Sequence, residues 1–199
     1  KHGLEDYDTG MGDLPLAPGV TMPNVPPAPE PGSPLDRLDR AQFSLATRMA
    51  DDRHGKNAIF WQGTGTLEKN PDTGGIAPAD VWQTALYVEA APYLSEDEFV
   101  ALSSGMARVQ RDAVIAAWRI KYRDWVERPT DRYGKERTHK ISSPPFPGYV
   151  SGHATTAAAG AAWLATFDPE RAELWEKVGR DIERSRIWGG VHLLSDNAA

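Results

Sequence analysis

The sequence of 199 residues contains no cysteine. A disulfide framework, a thiolate nucleophile and a cysteine-ligated zinc site are therefore excluded for this chain. Long apolar runs are also absent, because the most apolar stretch, residues 157–167, is about half the ~20 residues that a membrane-spanning helix needs. Basic residues are outnumbered, 22 against 28 acidic ones. The net charge of −6 argues against a nucleic-acid partner, since phosphate backbones are bound by basic surfaces.

With 40% hydrophobic and 25% charged residues, the chain has the composition of an ordinary globular protein of about one domain. Proline is dense between Gly10 and Pro34, and it has a fixed φ and no amide donor. We expect residues 1–34 to form an extended or disordered leader, either solvated or wrapped around the body or a neighbouring subunit of a homo-oligomer. Residues 35–199 form the expected helical domain. Because the chain begins with Lys rather than Met and stops inside its last helical pattern, we expect an upstream segment to have been removed and the C-terminal end to be incomplete.

From Leu35 onward, apolar residues recur at helical spacing and no useful strand alternation occurs, so we predict an all-α helical bundle. The motif SEDE, a capping box, precedes an apolar stripe over residues 99–120. Pro129 should end this long helix near Arg128. Further helices are expected over residues 79–91, from Ser151 onward, after Asp168 as an N-cap, and beyond the glycine pair 189–190.

Three short elements carry the candidate chemistry. Lys121 and Arg128 are seven residues apart, so on one helix both cations would project from nearly the same face. The tripeptide Ser151-Gly152-His153 lies at a predicted helix start, where exposed amides and the helix dipole favour an anion. Each element alone is more often structural: a pair of solvated charges in the first case, an N-cap in the second.

The third element contains Arg186, His192 and Asp196. The last two are four residues apart and should stack on one helix face, where the carboxylate would fix the imidazole tautomer. Together the three elements supply three permanent cations, a hydroxyl, amide donors and two histidines. That set suits a tetrahedral oxyanion.

These blocks, K-x6-RP, SGH and R-x5-H-x3-D, resemble the signature shared by type 2 phosphatidic acid phosphatases, bacterial nonspecific acid phosphatases and vanadium haloperoxidases. The resemblance spans residues 113–197, and FWQGTGT near residue 60 looks like a segment of bacterial haloperoxidase relatives. It implies the helical bundle of the acid phosphatase and vanadium haloperoxidase type, with residues 35–199 as the catalytic domain. PPFPGYVSGHAT and RIWGGVHLLSD look like the haloperoxidase forms. Trp118 and Phe146 match aromatic positions that line the halide side of chloroperoxidase-type pockets, although core packing explains both rings equally well.

By this resemblance, His192 would coordinate the vanadium of a vanadate cofactor, which phosphate can replace. The vanadate oxygens would be held by five other residues: Lys121, Arg128, Ser151, Gly152 and Arg186. His153 would act as acid–base, Asp196 would support His192, and Lys121 would also polarise the bound peroxide. The implied reactants are hydrogen peroxide, a halide and a small organic substrate, and the implied product is hypohalous acid.

Two alternatives remain open from the sequence. A phosphomonoesterase would use the same residues, with His192 as the nucleophile that forms a phosphohistidine and His153 protonating the leaving group. A non-catalytic oxyanion binder would need the cations but not a paired nucleophile and acid. The choice between chloride and bromide is not encoded in these motifs.

Overall fold

The structure, a computed structural model, describes residues 10–62, 78–134 and 141–198. Throughout these ranges the regular secondary structure is helical and no strand occurs, so the predicted all-α fold is confirmed. The helices, besides two short 3₁₀ turns, are α1 (Gly10–Asp13), α2 (Pro34–Met49), α3 (Asp52–Phe60), α4 (Pro78–Glu89), α5 (Glu96–Asp124), α6 (Pro129–Tyr133), α7 (Gly152–Phe167), α8 (Ala172–Trp188) and α9 (Leu194–Ala198). None of the described helices is long and apolar enough to cross a bilayer.

The longest helix is α5, and it begins as predicted with a reciprocal capping box between Ser95 and Glu98. It ends at Asp124, because Trp125 adopts a left-handed conformation with φ 52°. The predicted end near Arg128 is therefore wrong. Arg128 is extended and precedes Pro129, the first residue of α6, since proline disfavours a helical conformation in the residue before it.

A core of aromatic and aliphatic side chains joins α4, α5, α7 and α8. The small residues of α7 allow close packing: a Cβ built on Gly160 would lie 2.3 Å from Cδ1 of the fully buried Trp82. This contact sets the distance between α4 and α7. The same helix begins at Gly152, with Ser151 as its N-cap.

Two features of the helix boundaries differ from expectation or went unpredicted, and a third agrees with the prediction. The side chain of Asp168 does not cap α8, because a 3₁₀ turn over Pro169–Arg171 intervenes before the helix begins at Ala172. The helix α3 was not predicted; its N-cap Asp51 pairs with His54 rather than with a glutamate or glutamine. The glycine pair 189–190 does end α8, at Trp188.

The described part of the proline-rich segment lies along α5. The amides of Ala17 and Ala28 donate to the carboxylates of Asp112 and Asp124 on that helix, at 3.2 and 2.9 Å. Conversely, arginines of α5 and α6 donate to backbone carbonyls of the segment, the arginines being Arg111, Arg119, Arg123 and Arg132. This segment, residues 10–33, is called the arm below.

Candidate oxyanion site

Seven of the predicted site residues, from separate parts of the fold, line one cavity of about 340 Å³. The cavity lies where the end of α5, the start of α7, the end of α8 and the loop before α9 converge. The predicted site residues that line it are Trp118, Arg128, Phe146, Gly152, His153, Arg186 and His192. Side chains separated by more than 70 positions in the sequence are thus brought around one space.

Lys121 and Ser151 lie immediately behind this lining, and both are fully buried. The Nζ atom of Lys121 donates to the carbonyl oxygens of Pro147 and Gly148, at 2.8 and 3.0 Å. The Ser151 hydroxyl accepts from the amide of Ala154, as an N-cap does. The prediction that Lys121 and Arg128 share a helix face is wrong, because Arg128 lies outside α5.

A chain of hydrogen bonds joins Arg128, His192 and Asp196. Nη1 of Arg128 donates to Nε2 of His192 at 3.0 Å, and Nδ1 of His192 lies 3.0 Å from Oδ2 of Asp196. An arginine can only donate, so Nε2 is the acceptor and Nδ1 carries the proton. His192 itself lies before α9, which starts at Leu194, so the expected shared helix face is wrong although the pair forms.

Asp196 is held from three directions. Its Oδ2 also accepts from the amide of Leu193 at 2.9 Å, and its own carbonyl oxygen accepts from the amide of Ser151 at 2.8 Å. The carboxylate that orients His192 is thereby connected to the N-terminus of α7. Two of the three sequence elements are in direct contact through the backbone.

Arg186 and His153 complete the ring of polar groups. Arg186 donates through Nη2 to the carbonyl of Ala58 in α3 and through Nε to the hydroxyl of Ser185. Nε2 of His153 and Nη2 of Arg128 are buried and have no partner in the described part of the chain. A buried donor or acceptor without a partner costs about 1–3 kcal/mol, so both atoms favour a ligand in the cavity.

Burial shifts the pKa values of the whole cluster toward the neutral forms. It lowers the pKa of Lys121 well below its usual range, with Arg128 adding repulsion, and it lowers the pKa of Arg128 to about 10 and that of Arg186 to about 9. The pKa values of His153 and His192 are lowered by burial and by the nearby cations. A multiply charged anion would reverse these effects, since an opposite charge stabilises each cation.

An aromatic wall, formed by Trp118 and Phe146, stands beside the cations. The two ring centroids are 5.4 Å apart, and Nζ of Lys121 lies 5.7 and 5.4 Å from them. The guanidinium carbon of Arg128 is 4.8 Å from the Phe146 centroid. Such distances allow cation–π attraction and keep the charged groups away from bulk water.

Gly152 is needed where it is because Trp118 approaches its backbone. A Cβ on Gly152 would lie 3.1 Å from Cζ3 of Trp118 and 4.0 Å from Cε of Lys121. The absence of a side chain therefore leaves room for the indole and opens the first turn of α7 to the cavity.

Sequence reasoning missed part of the cavity lining. The missed residues include Gln62, Ala79, Val114, Ile141, Ser142, Pro144, Thr156 and Val191. Gln62 falls within the FWQGTGT segment that the resemblance singled out, and residues 63–66 of that segment lie outside the described residues. The other positions carry ordinary side chains that only the packing of the helices brings to the site.

No group of three or more histidine, cysteine, aspartate or glutamate residues in the described ranges could hold a metal cation. The donors that line this cavity are instead suited to the oxygens of an anion.

Comparison with known proteins identifies the fold. No protein-family model matches the chain, and no curated protein matches it. A solved structure described as the first bacterial vanadium-dependent iodoperoxidase matches with a TM-score of 0.71 and 19% sequence identity, over 88% of this chain. The chain spans 48% of that protein's length. The chain therefore has a vanadium haloperoxidase-like fold, as the motifs predicted.

Proposed function

We propose that this chain binds vanadate and uses it to oxidise a halide with hydrogen peroxide to hypohalous acid. One observation carries the proposal: three buried cations lie at, or directly behind, the lining of a single cavity, and two buried nitrogen atoms of its lining residues have no partner among the described residues. The cations are Lys121, Arg128 and Arg186, and the buried carboxylate in hydrogen-bond contact with this cluster among the described residues is Asp196. If all are ionised, the cluster carries a surplus of positive charge.

An uncompensated buried charge is costly, because the interior replaces the hydration of the ion poorly. A tetrahedral oxyanion with two or three negative charges would neutralise this surplus and accept from the guanidinium and ammonium groups. Vanadate fits these requirements, and so does phosphate. Bound vanadate supplies a Lewis acid that activates peroxide without a change in its own oxidation state.

His192 is oriented to meet the central atom of such an anion. Its Nδ1 proton is directed at Asp196, so the lone pair of Nε2 is available on the side of Arg128. In the bound state the guanidinium would transfer its hydrogen bond from Nε2 to an anion oxygen. The tautomer would then already be the one that coordination requires.

His153 is the candidate acid–base. His153 lines the cavity, and its Nε2 has no hydrogen-bond partner in the described part of the chain. Its ring contacts the backbone of Trp61 and Gln62. The lowered pKa favours a neutral imidazole that can accept a proton from peroxide or water. The roles proposed for the oxygens are donation from Lys121, Arg128, Arg186, the Ser151 hydroxyl and the Gly152 amide.

The aromatic wall supports halide oxidation over phosphate ester hydrolysis. Trp118 and Phe146 line the cavity with two cations, Lys121 and Arg128, beside their rings, and a positively charged space with apolar walls suits a weakly hydrated halide. The fold of the iodoperoxidase points in the same direction. Phosphomonoesterase activity through a phosphohistidine at His192 is the second candidate, because the Nε2 lone pair is equally suited to attack phosphorus.

The decisive experiment assays the protein with and without vanadate. Vanadate-loaded protein is given hydrogen peroxide with iodide, bromide or chloride, and halogenation of a dione reporter is measured. Vanadate-free protein is tested in parallel for hydrolysis of phenyl phosphate. His192→Ala should abolish the activity, whereas His54→Ala, the same change at a histidine in α3 away from the cavity, should retain it. Hydrolysis without vanadate-dependent halogenation would replace the proposal with the phosphatase.

A further inference from the structure

Asp39 is a buried carboxylate that the mechanism above does not use. It lies in α2, on the far side of the site from the cavity, and only 2% of its surface is exposed. Its Oδ2 accepts from the hydroxyl of Ser195 at 2.5 Å, and its Oδ1 accepts from the amide of the same residue at 3.2 Å. A single carboxylate thus accepts hydrogen bonds from both the hydroxyl and the backbone amide of one residue.

Ser195 immediately precedes Asp196 in the first turn of α9. This helix has five residues, and a helix of that length has no stability of its own in water. Its position is therefore set by contacts with other elements. The described hydrogen bonds that fix it come from α2 through Asp39, from α8 through the Glu183 carbonyl and Asn197, and from α7 through the Ser151 amide.

Burying a carboxylate is expensive, and burial accordingly raises the pKa of Asp39, partly offset by the hydrogen bonds from Ser195. The negative charge of Asp196 nearby adds to this rise, and Arg132 opposes it. An apolar residue at this position of α2 would be buried without such a cost. A requirement on the geometry of α9 explains why a carboxylate is present instead.

We propose that Asp39 is a positioning residue for the oxyanion site. Its two hydrogen bonds with Ser195 fix the position of α9, so that the carboxylate of Asp196 lies within hydrogen-bond distance of Nδ1 of His192. The inference rests on the proposed function in that the fixed imidazole is the one offered to the anion. It extends the site to α2, which shares no sequence motif with it. Asp39 is not among the residues that line the cavity.

The test compares two variants of equal charge. Asp39→Asn keeps an oxygen for the Ser195 amide and an NH₂ group that can donate to the Ser195 hydroxyl, whereas Asp39→Leu has neither. Because both remove the negative charge, a difference between them cannot be assigned to charge and reports the hydrogen bonds to Ser195 or the shape of the side chain. We expect Asp39→Leu to weaken binding of inorganic phosphate about 10-fold, the usual effect of losing an outer hydrogen-bond partner, and Asp39→Asn to stay close to the wild type.

A second readout needs no anion. In protein labelled with ¹⁵N at histidine, the Nδ1 and Nε2 resonances of His192 report its tautomer and its hydrogen bond to Asp196. We expect Asp39→Leu to shift or broaden the Nδ1 signal. Ser195→Ala removes the hydroxyl without adding bulk and should change both readouts in the same direction, which keeps the test open if Asp39→Leu does not fold. The control is Asp112→Asn, which changes another buried carboxylate, one that accepts from the Ala17 amide of the arm.

Several outcomes would overturn the inference. A melting temperature lowered in Asp39→Leu, with phosphate affinity and His192 resonances unchanged, would assign Asp39 a structural role only. Equal loss in Asp39→Asn and Asp39→Leu would assign the effect to charge. Failure of the wild type to bind phosphate or vanadate would instead contradict the proposed function, and the His192 resonances would still decide the role of Asp39.

Discussion

Nη1 of Arg128 donates a hydrogen bond to Nε2 of His192 across 3.0 Å, although 64 residues separate them in the sequence. The bond defines which imidazole nitrogen bears the proton, and it depends on Asp196 accepting from the other nitrogen. The chemistry proposed for His192 is thus controlled by two groups of opposite charge, one on each side of the ring.

Replacement of Asp196 should slow the reaction without preventing the anion from binding. In Asp196→Ala the Nδ1 proton of His192 has no acceptor, and either tautomer becomes accessible. We expect the kcat of halide oxidation by the vanadate-loaded protein to fall about 10- to 100-fold. The control is Asp112→Ala, which removes a buried carboxylate of α5 that contacts the arm and does not line the cavity. An unchanged kcat in Asp196→Ala would contradict the proposed role.

Anion binding should stabilise the folded chain through Lys121. Phosphate at one hundred times its Kd should raise the free energy of unfolding of the wild type by about 2.7 kcal/mol. In Lys121→Met the same concentration should add less than about 1 kcal/mol, because a buried charged donor has been lost. Urea unfolding with and without phosphate measures both values. Lys56→Met, the same change at an exposed lysine of α3, should retain the full effect.

Two glycines in adjacent helices should respond oppositely to alanine. At Gly160 the new methyl group would lie within 2.5 Å of three atoms of the Trp82 indole, and we expect a loss of about 1–3 kcal/mol from overpacking. At Gly179 in α8 the nearest atoms are 3.5 Å away, so the better helix propensity of alanine should leave stability unchanged or raise it by up to about 1 kcal/mol. Thermal unfolding of both variants distinguishes them. Similar effects at the two sites would mean that α4 and α7 are not packed as described.

The free energy of unfolding should fall in acid because Asp36 becomes protonated. Partial burial opposes its ionisation, but hydrogen bonds from Tyr133 and the Gly32 amide and the charge of Arg132 hold its pKa below the usual 3.8. A carboxylate with a lowered folded-state pKa contributes stability above the unfolded pKa, and this contribution disappears as pH falls through the folded pKa.

The variant Asp36→Asn should therefore be less stable than the wild type at pH 7, by about 1 kcal/mol, and the difference should shrink below pH 4. Urea unfolding from pH 7 to pH 3 gives the comparison. The opposite trend, a gap that widens in acid, would show that the pKa of Asp36 is raised on folding.

The three motifs were readable from the sequence because their charged residues recur at fixed spacings, and the capping box of α5 because its signal is local. The end of α5 could not be predicted from the sequence, because a tryptophan rather than a glycine takes the left-handed position. Lys121 and Arg128 meet at the site although the helical reasoning that paired them fails. Contacts such as that of Asp39 with Ser195 join residues 156 positions apart, and no local pattern encodes them.

The arm gives the chain an order of assembly. Its amides and carbonyls pair with groups on α5 and α6 that follow it by 95 to 107 residues, so these contacts cannot form until α5 and α6 have been synthesised. Contacts of such long sequence separation are slow to form, since the loop entropy is lost before they contribute. We therefore expect the arm to dock only after α5 and α6, whose internal hydrogen bonds are local, have formed.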